Sequence, residues 1–257
     1  MFRIYSEVKG QPVVTIDGSY RNFHLRKSGV LYEKDFETYA PAASKVAKVK
    51  AEDMNSPIIV VHPRGYDYNN KVCTIPYYGG FLFYVWHNFT VSDGIEYYIF
   101  DDWKPPLRSN AGLKMWNDAG EMVYHSDWIR LKLLGFHTLD ANISPDGDSD
   151  LKIDISRYYR YADKLGVMIP YSRKGTISGF SGGGHWAGGG GHDTSFVYEI
   201  SECFYFRDKN TLQYAVMSLG GSDGWWEPGI GWMTPMEDSY IFMVDLDGVP
   251  TDYEPEK

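Results

Sequence analysis

Apolar and polar residues alternate along most of this chain, the spacing of strands that bury one face. The pattern is clearest in two stretches that echo one another, residues 2–25 and 113–134. Each opens on an alternating run, Phe2-Arg3-Ile4-Tyr5 in one and Leu113-Lys114-Met115-Trp116 in the other. Each then passes a polar, acidic corner ending in Gly10 or Gly120 and returns through 13–17 or 123–127. Period two broken by a Gly-containing polar turn predicts a β-hairpin at each place. If the echo is a duplication, the chain is two β-modules in a row, which points to scaffolding rather than catalysis. Further strands are predicted at 57–62, stopping at Pro63-Arg64-Gly65, and at 81–90, ending in the polar turn 92–94. Residues 95–101 follow at hairpin distance, so these runs read as an antiparallel meander. Helix is scarce: 40–53 reads weakly as strand, and 156–165 as a short helix capped by Ser156 with Tyr158, Tyr159 and Ala162 on one face. The expected fold class is therefore all-β, antiparallel β-sandwich modules with a long Gly-rich loop and little helix. Pro105-Pro106 and the run 109–112 cannot extend a sheet ladder and make the best linker. They divide an N-terminal module, 1–108, from a C-terminal β-rich module, 109–257.

Composition sharpens this picture. A chain of 257 residues with 43% hydrophobic residues can bury a core, and 16% aromatics favour sheet while leaving aromatic surface for protein or sugar contacts. The net charge of −9 argues against nucleic acid and anionic membrane as partners, since both require a basic footprint. The one basic cluster, 45–50, is followed at once by Glu52 and Asp53 and reads as a solvated face. Cys73 and Cys203 lie far apart, and the default is two free thiols in a chain made in a reducing cytoplasm. Arg3 and Glu7 interrupt any signal-like apolar run, and no window approaches a membrane span, so a soluble protein without membrane insertion is expected.

Two segments stand apart from the strand pattern. Residues 175–192 hold a glycine tract containing His185, Trp186 and His192. A tract so rich in glycine forgoes regular structure unless something else orders it. It reads either as a mobile surface loop or as an extended loop that meets a neighbouring subunit or partner. Residues 220–232 place Trp225, Trp226 and Trp232 among glycines, as a loop anchored in a core edge or as an exposed contact patch. The spelling G-x-S-x-G occurs at 179–183 and 220–224, but neither serine is followed by a helix, and after Ser222 there is no histidine. Residues 146–154 open like a calcium loop, yet Leu151 and Arg157 occupy the places that need glycine and glutamate. The seven histidines show no zinc spacing and no phosphate-binding loop is present, so no catalytic residue, metal or cofactor is expected.

The stretch 97–134, YYIFDDWKPPLRSNAGLKMWNDAGEMVYHSDWIRLKLL, resembles tail-tip and tail-fibre-associated structural proteins of long-tailed bacteriophages. The likeness lies in an aromatic strand ending near Phe100-Asp101, a Ser-containing link, and the hairpin running from Gly112-Leu113 through Asn117 and Gly120 to Ser126. Tyr20-Arg21-Asn22-Phe23 running to Leu25, and the strand 57–63, are similar to the same proteins, so about the first 135 residues are covered. The resemblance implies a virion structural protein of the tail, made in the host bacterial cytoplasm, that is not an enzyme and acts by assembly. Its implied partners are other phage tail proteins and copies of itself, as a homo-oligomer with a trimer as the family's usual symmetry. The alternative is an adhesin that meets a host receptor or glycan through His185, Trp186, His192, Trp225, Trp226 and Trp232.

Overall fold

The computed structural model describes residues 3–8, 11–17, 22–39, 44–86, 94–107, 110–140, 151–170, 172–181, 194–224, 229–232 and 238–255. Among them the fold is all-β and antiparallel, with no helix of seven or more residues. In chain order the first strands are β1 (Arg3–Val8), β2 (Gln11–Asp17), β3 (His24–Leu31), β4 (Glu37–Tyr39), β5 (Ser44–Lys50), β6 (Ile58–Pro63), β7 (Val72–Tyr77), β8 (Gly80–Trp86) and β9 (Ile95–Asp101). There follow β10 (Lys114–Trp116), β11 (Met122–His125), β12 (Leu133–Leu139), β13 (Lys152–Asp154), β14 (Leu165–Met168) and β15 (Lys174–Ser181). The last are β16 (Thr194–Asp208), β17 (Thr211–Gly224), β18 (Gly229–Trp232) and β19 (Ser239–Asp245).

The two echoing stretches do form hairpins, β1 with β2 and β10 with β11, each a two-stranded sheet of its own. A six-stranded sheet runs β12-β19-β14-β6-β9-β3. A nine-stranded sheet runs β13-β17-β16-β7-β8-β5-β4, with β15 also on β16 and β18 on β15. One hydrophobic cluster takes Ile59, Val61, Tyr97, Ile99, Val167 and Met243 from the first sheet and Val49, Val72, Phe83, Val85, Phe204 and Tyr214 from the second. Residues two apart on a strand share a face, so these alternating positions form the filling between two layers. The layers pack as a β-sandwich.

Both sheets are spliced from two blocks. Strands before residues 105–112 contribute β6-β9-β3 to one sheet and β7-β8-β5-β4 to the other; strands after it contribute β12-β19-β14 and β13-β17-β16. Each pair of blocks meets through one register pair, Val61 with Val167 in the six-stranded sheet and Val72 with Phe204 in the nine-stranded sheet. The two stretches of chain therefore share both layers and one core, rather than each closing sheets of its own.

The alternation placed strands well and their neighbours less well. Residues 95–101 do follow β8, but β8 and β9 belong to different sheets and make no hairpin. The reason lies in burial: all seven residues of β9 are buried, because β6 and β3 flank it and both of its faces are covered. Ile95, Tyr97 and Ile99 face the sandwich core, while Tyr98 and Phe100 join a second cluster with Leu25, Val60, Met168, Leu246 and Val249. The chain after β19 closes that outer face, where Ser28 donates its backbone N–H to Tyr253 O at 2.9 Å and its hydroxyl to Pro250 O at 2.7 Å.

The helix expected over 156–165 is a single turn of 3-10 helix, Ser156–Arg160, and Leu165 already starts β14. Ser156 does not cap it with its side chain; instead its backbone N–H donates to Asp154 Oδ1 at 2.9 Å. The weak strand reading of 40–53 holds, as β5. Part of the glycine tract is strand rather than loop, since residues 175–181 lie in β15 and pair with β16 and β18. Residues 182–191 lie outside the described residues, as do 146–150 of the acidic turn. Ser181 ends β15, and Ser222 sits in β17 opposite Val197, so neither serine occupies a strand-to-helix turn.

Candidate functional site

The last strand of the six-stranded sheet, β12, pairs with β19 alone among the described residues. A strand in that position presents backbone groups along its other side, which is a template for a further strand. Natural edges are blunted by charge or proline. The sequence here, Leu133-Leu134-Gly135-Phe136-His137-Thr138-Leu139, carries neither lysine nor proline. Its register shifts between Leu133 and Gly135 and is regular from there to Leu139.

Two kinds of surface flank this edge. On the outer face Phe136 is 55% exposed and Tyr240 43% exposed. Phe136 packs edge-on to Tyr240 at 5.9 Å between ring centroids and lies 5.8 Å from Phe242, its register partner on β19. On the other side a cleft of about 520 Å³ is lined by Leu134, Gly135, Phe136, Arg157, Tyr158, Arg160 and Tyr161. Gly135 makes room for the wall of that cleft, because a Cβ there would lie 2.9 Å from the Tyr158 hydroxyl. Arg157 Nη2 donates to the Tyr158 oxygen at 2.6 Å, and that hydroxyl lies 3.2 Å from His137 Nε2. Burial and then the Arg157 charge hold the His137 imidazole below its usual pKa, so Nε2 is an acceptor for the tyrosine. The lining residues contain no serine, thiol or carboxylate to act as nucleophile or base. What the place offers is recognition: an open strand edge, stacked aromatics, and guanidinium groups that suit a carboxylate.

Three other polar clusters serve the fold. At the meeting of the two blocks in the six-stranded sheet, Glu96 accepts from Arg64 Nε at 2.6 Å, from the Tyr98 hydroxyl, and lies 2.5 Å from Lys164 Nζ. Burial alone would raise the Glu96 carboxyl, but hydrogen bonds from Lys164, Tyr98 and Arg64 outweigh it and hold its pKa below the ordinary value. His62 Nδ1 donates to Leu165 O at 2.7 Å across the same junction. In the sandwich interior Arg173 and Glu202, both almost fully buried, pair at 2.6 Å, and the Tyr214 hydroxyl donates to the same carboxylate at 3.1 Å.

The third cluster joins the hairpin β10–β11 to the start of β3. His24 and His125 pack their rings against Trp128 at 4.9 and 6.2 Å between centroids. His24 Nδ1 meets Trp103 O at 3.0 Å, and burial pushes its pKa down to about 4. His24 Nε2, His125 Nε2, Trp128 Nε1 and Asp127 Oδ2 have no hydrogen-bond partner among the described residues. No group of three or more His, Cys, Asp or Glu among the described residues is placed to hold a metal ion.

Of the residues singled out by sequence, His185, Trp186, His192, Trp225 and Trp226 lie outside the described residues. Trp232 ends β18, opposite Gly175. The ladder between β15 and β18 does bring the start of the glycine tract and the end of the tryptophan segment side by side. The β12 edge was missed, because alternation marks a strand without saying whether a neighbour lies on both sides. The one signal was the pair of aromatics at Tyr240 and Phe242 two apart on a strand, with Phe136 isolated between polar residues. No helix among the described residues is long and apolar enough to cross a membrane. Comparison of the chain with protein-family models, with curated proteins and with solved structures finds no match.

Proposed function

We propose that this chain is a structural protein of a long-tailed bacteriophage virion, in the tail tip or fibre-attachment region, and that it works by protein–protein assembly. The observation that carries this reading is the open, aromatic edge of β12, a surface suited to strand addition by a neighbour. The resemblance of 97–134 to tail proteins supplies the setting, and the hairpin at its centre, β10–β11, forms as that pattern requires. Its partners are other tail proteins and further copies of itself, a closed homo-oligomer being the usual arrangement. Gold-labelled antibody against the chain, applied to particles of a phage that encodes it, should decorate the end of the tail. Purified particles without label, with the chain left in the soluble lysate, would overturn the proposal.

A second reading, a receptor- or glycan-binding adhesin, draws support from the pairing of β15 with β18, which sets the glycine and tryptophan segments next to each other. Removing residues 182–191 separates the two. Normal particles that no longer adsorb to the host favour the adhesin, whereas particles lacking tail parts favour the assembly role.

A further inference from the structure

Cys73 and Cys203 are both free and both buried. They stand on the two strands that meet where the nine-stranded sheet is spliced. Val72 of β7 faces Phe204 of β16 there, so one step along the antiparallel ladder sets Cys73 opposite Cys203. Their other neighbours agree on the face: Cys73 is paired with Tyr84, Tyr84 with Val46, and Cys203 with Ala215. All five belong to one apolar cluster on the outer side of that sheet, opposite the face of Val72, Phe204 and Tyr214. Directly opposed residues of antiparallel strands have Cα atoms about 4.5–5.5 Å apart, inside the roughly 4.4–6.8 Å that a disulfide spans.

We propose that Cys73 and Cys203 are a cross-link site, forming a disulfide that ties β7 to β16 when the chain meets an oxidising thiol–disulfide couple. The inference is independent of the function proposed above. Its consequence is mechanical, because it places a covalent bond where a single register pair joins the two blocks of this sheet. The oxidant is a low-molecular-weight disulfide such as glutathione disulfide. One cysteine thiolate attacks it, releasing one glutathione thiolate and leaving a mixed disulfide. The second cysteine thiolate then attacks the protein sulfur of that mixed disulfide and releases the other glutathione. Two protein thiols lose two protons and two electrons, and the reagent gains them as two thiols. Burial pushes the Cys73 thiol up to about 12, so the exchange belongs to folding or to an opened sheet and not to the closed one.

The test refolds the full chain from denaturant in a glutathione redox buffer, beside a sample refolded with reductant. The expected product is a monomer lighter by two hydrogens, with Cys73 and Cys203 in one cross-linked peptide after non-reducing digestion. Its thermal midpoint should exceed that of the reduced chain by about 5–10 °C. That difference should vanish in Cys73→Ala and in Cys203→Ala. Alkylation of both cysteines after oxidative refolding, glutathione carried separately on each, or dimers linked between chains would overturn the proposal. The peptide map uses the unaltered chain, so it decides the matter even if an alanine variant does not fold.

Discussion

The two places where the blocks meet are built from opposite chemistry. In the six-stranded sheet the junction at Val61 and Val167 is bordered by polar groups: Glu96 gathers Arg64, Lys164 and Tyr98, and His62 reaches across to Leu165. In the nine-stranded sheet the junction at Val72 and Phe204 is apolar on both faces, with Phe83, Val85 and Tyr214 on one side and the two cysteines on the other. A polar junction is directional and sensitive to charge; an apolar one depends on area and fit. The sandwich thus relies on two bonds of different kind between the same two halves, and conditions that weaken one leave the other in place.

Removing the carboxylate at the polar junction should have the largest effect. Glu96→Ala leaves Arg64 and Lys164 facing each other without their counter-charge at a position only 4% exposed, at a cost of about 3–5 kcal/mol. The midpoint in urea should fall accordingly, and a value within error of the unaltered chain would remove the ionic junction from the account.

Acid should come next. The folded pKa of His24 lies at about 4, below the ordinary 6.5, so its contribution is complete above 6.5 and is lost as pH falls from there towards 4. That contribution is about 3 kcal/mol, and His62, also lowered by burial, acts in the same direction at the polar junction. Urea midpoints measured from pH 7.5 to 4 should decline, and His24→Phe should flatten most of that decline. If the slope is unchanged in the variant, acid acts elsewhere.

Substitutions on β12 serve as the contrast, because they touch neither junction. Gly135→Val drives a Cβ into the Tyr158 ring and should cost about 1–3 kcal/mol, read as a lower thermal midpoint. Phe136→Lys replaces an exposed ring and should shift stability by no more than about 0.5 kcal/mol. It should nevertheless abolish association through the edge, measured by light scattering or by binding to tail proteins. Unchanged association would withdraw β12 as the assembly surface.

The hairpins at 2–25 and 113–134 and the strands at 58–63 and 95–101 were legible because alternation and turn residues are local. Which strands become neighbours is not local. Nothing in 95–101 says that it leaves the sheet of β8, although its unbroken apolar and aromatic run fits a strand covered on both faces. Cys73 and Cys203 looked unrelated for the same reason, since the ladder that aligns them joins distant parts of the chain. Ser156 kept its place at the start of a helical turn, but Asp154 took over the capping because it sits two residues earlier at the end of β13. The contact surface expected in the glycine and tryptophan segments remains a matter of composition, and β12 stood out only once its single neighbour was known.

The position of β19 bears on how the chain acquires its form as it is made. The final strand of the described chain inserts between β12 and β14 rather than adding at a margin. During synthesis β12 would wait without a sheet partner until residues 239–245 leave the ribosome. Pairings so distant in sequence form slowly, and an apolar strand held open in the meantime invites wrong neighbours. A nascent chain stalled before residue 239 should therefore depend on holding chaperones, and release of β19 should be the step that frees it.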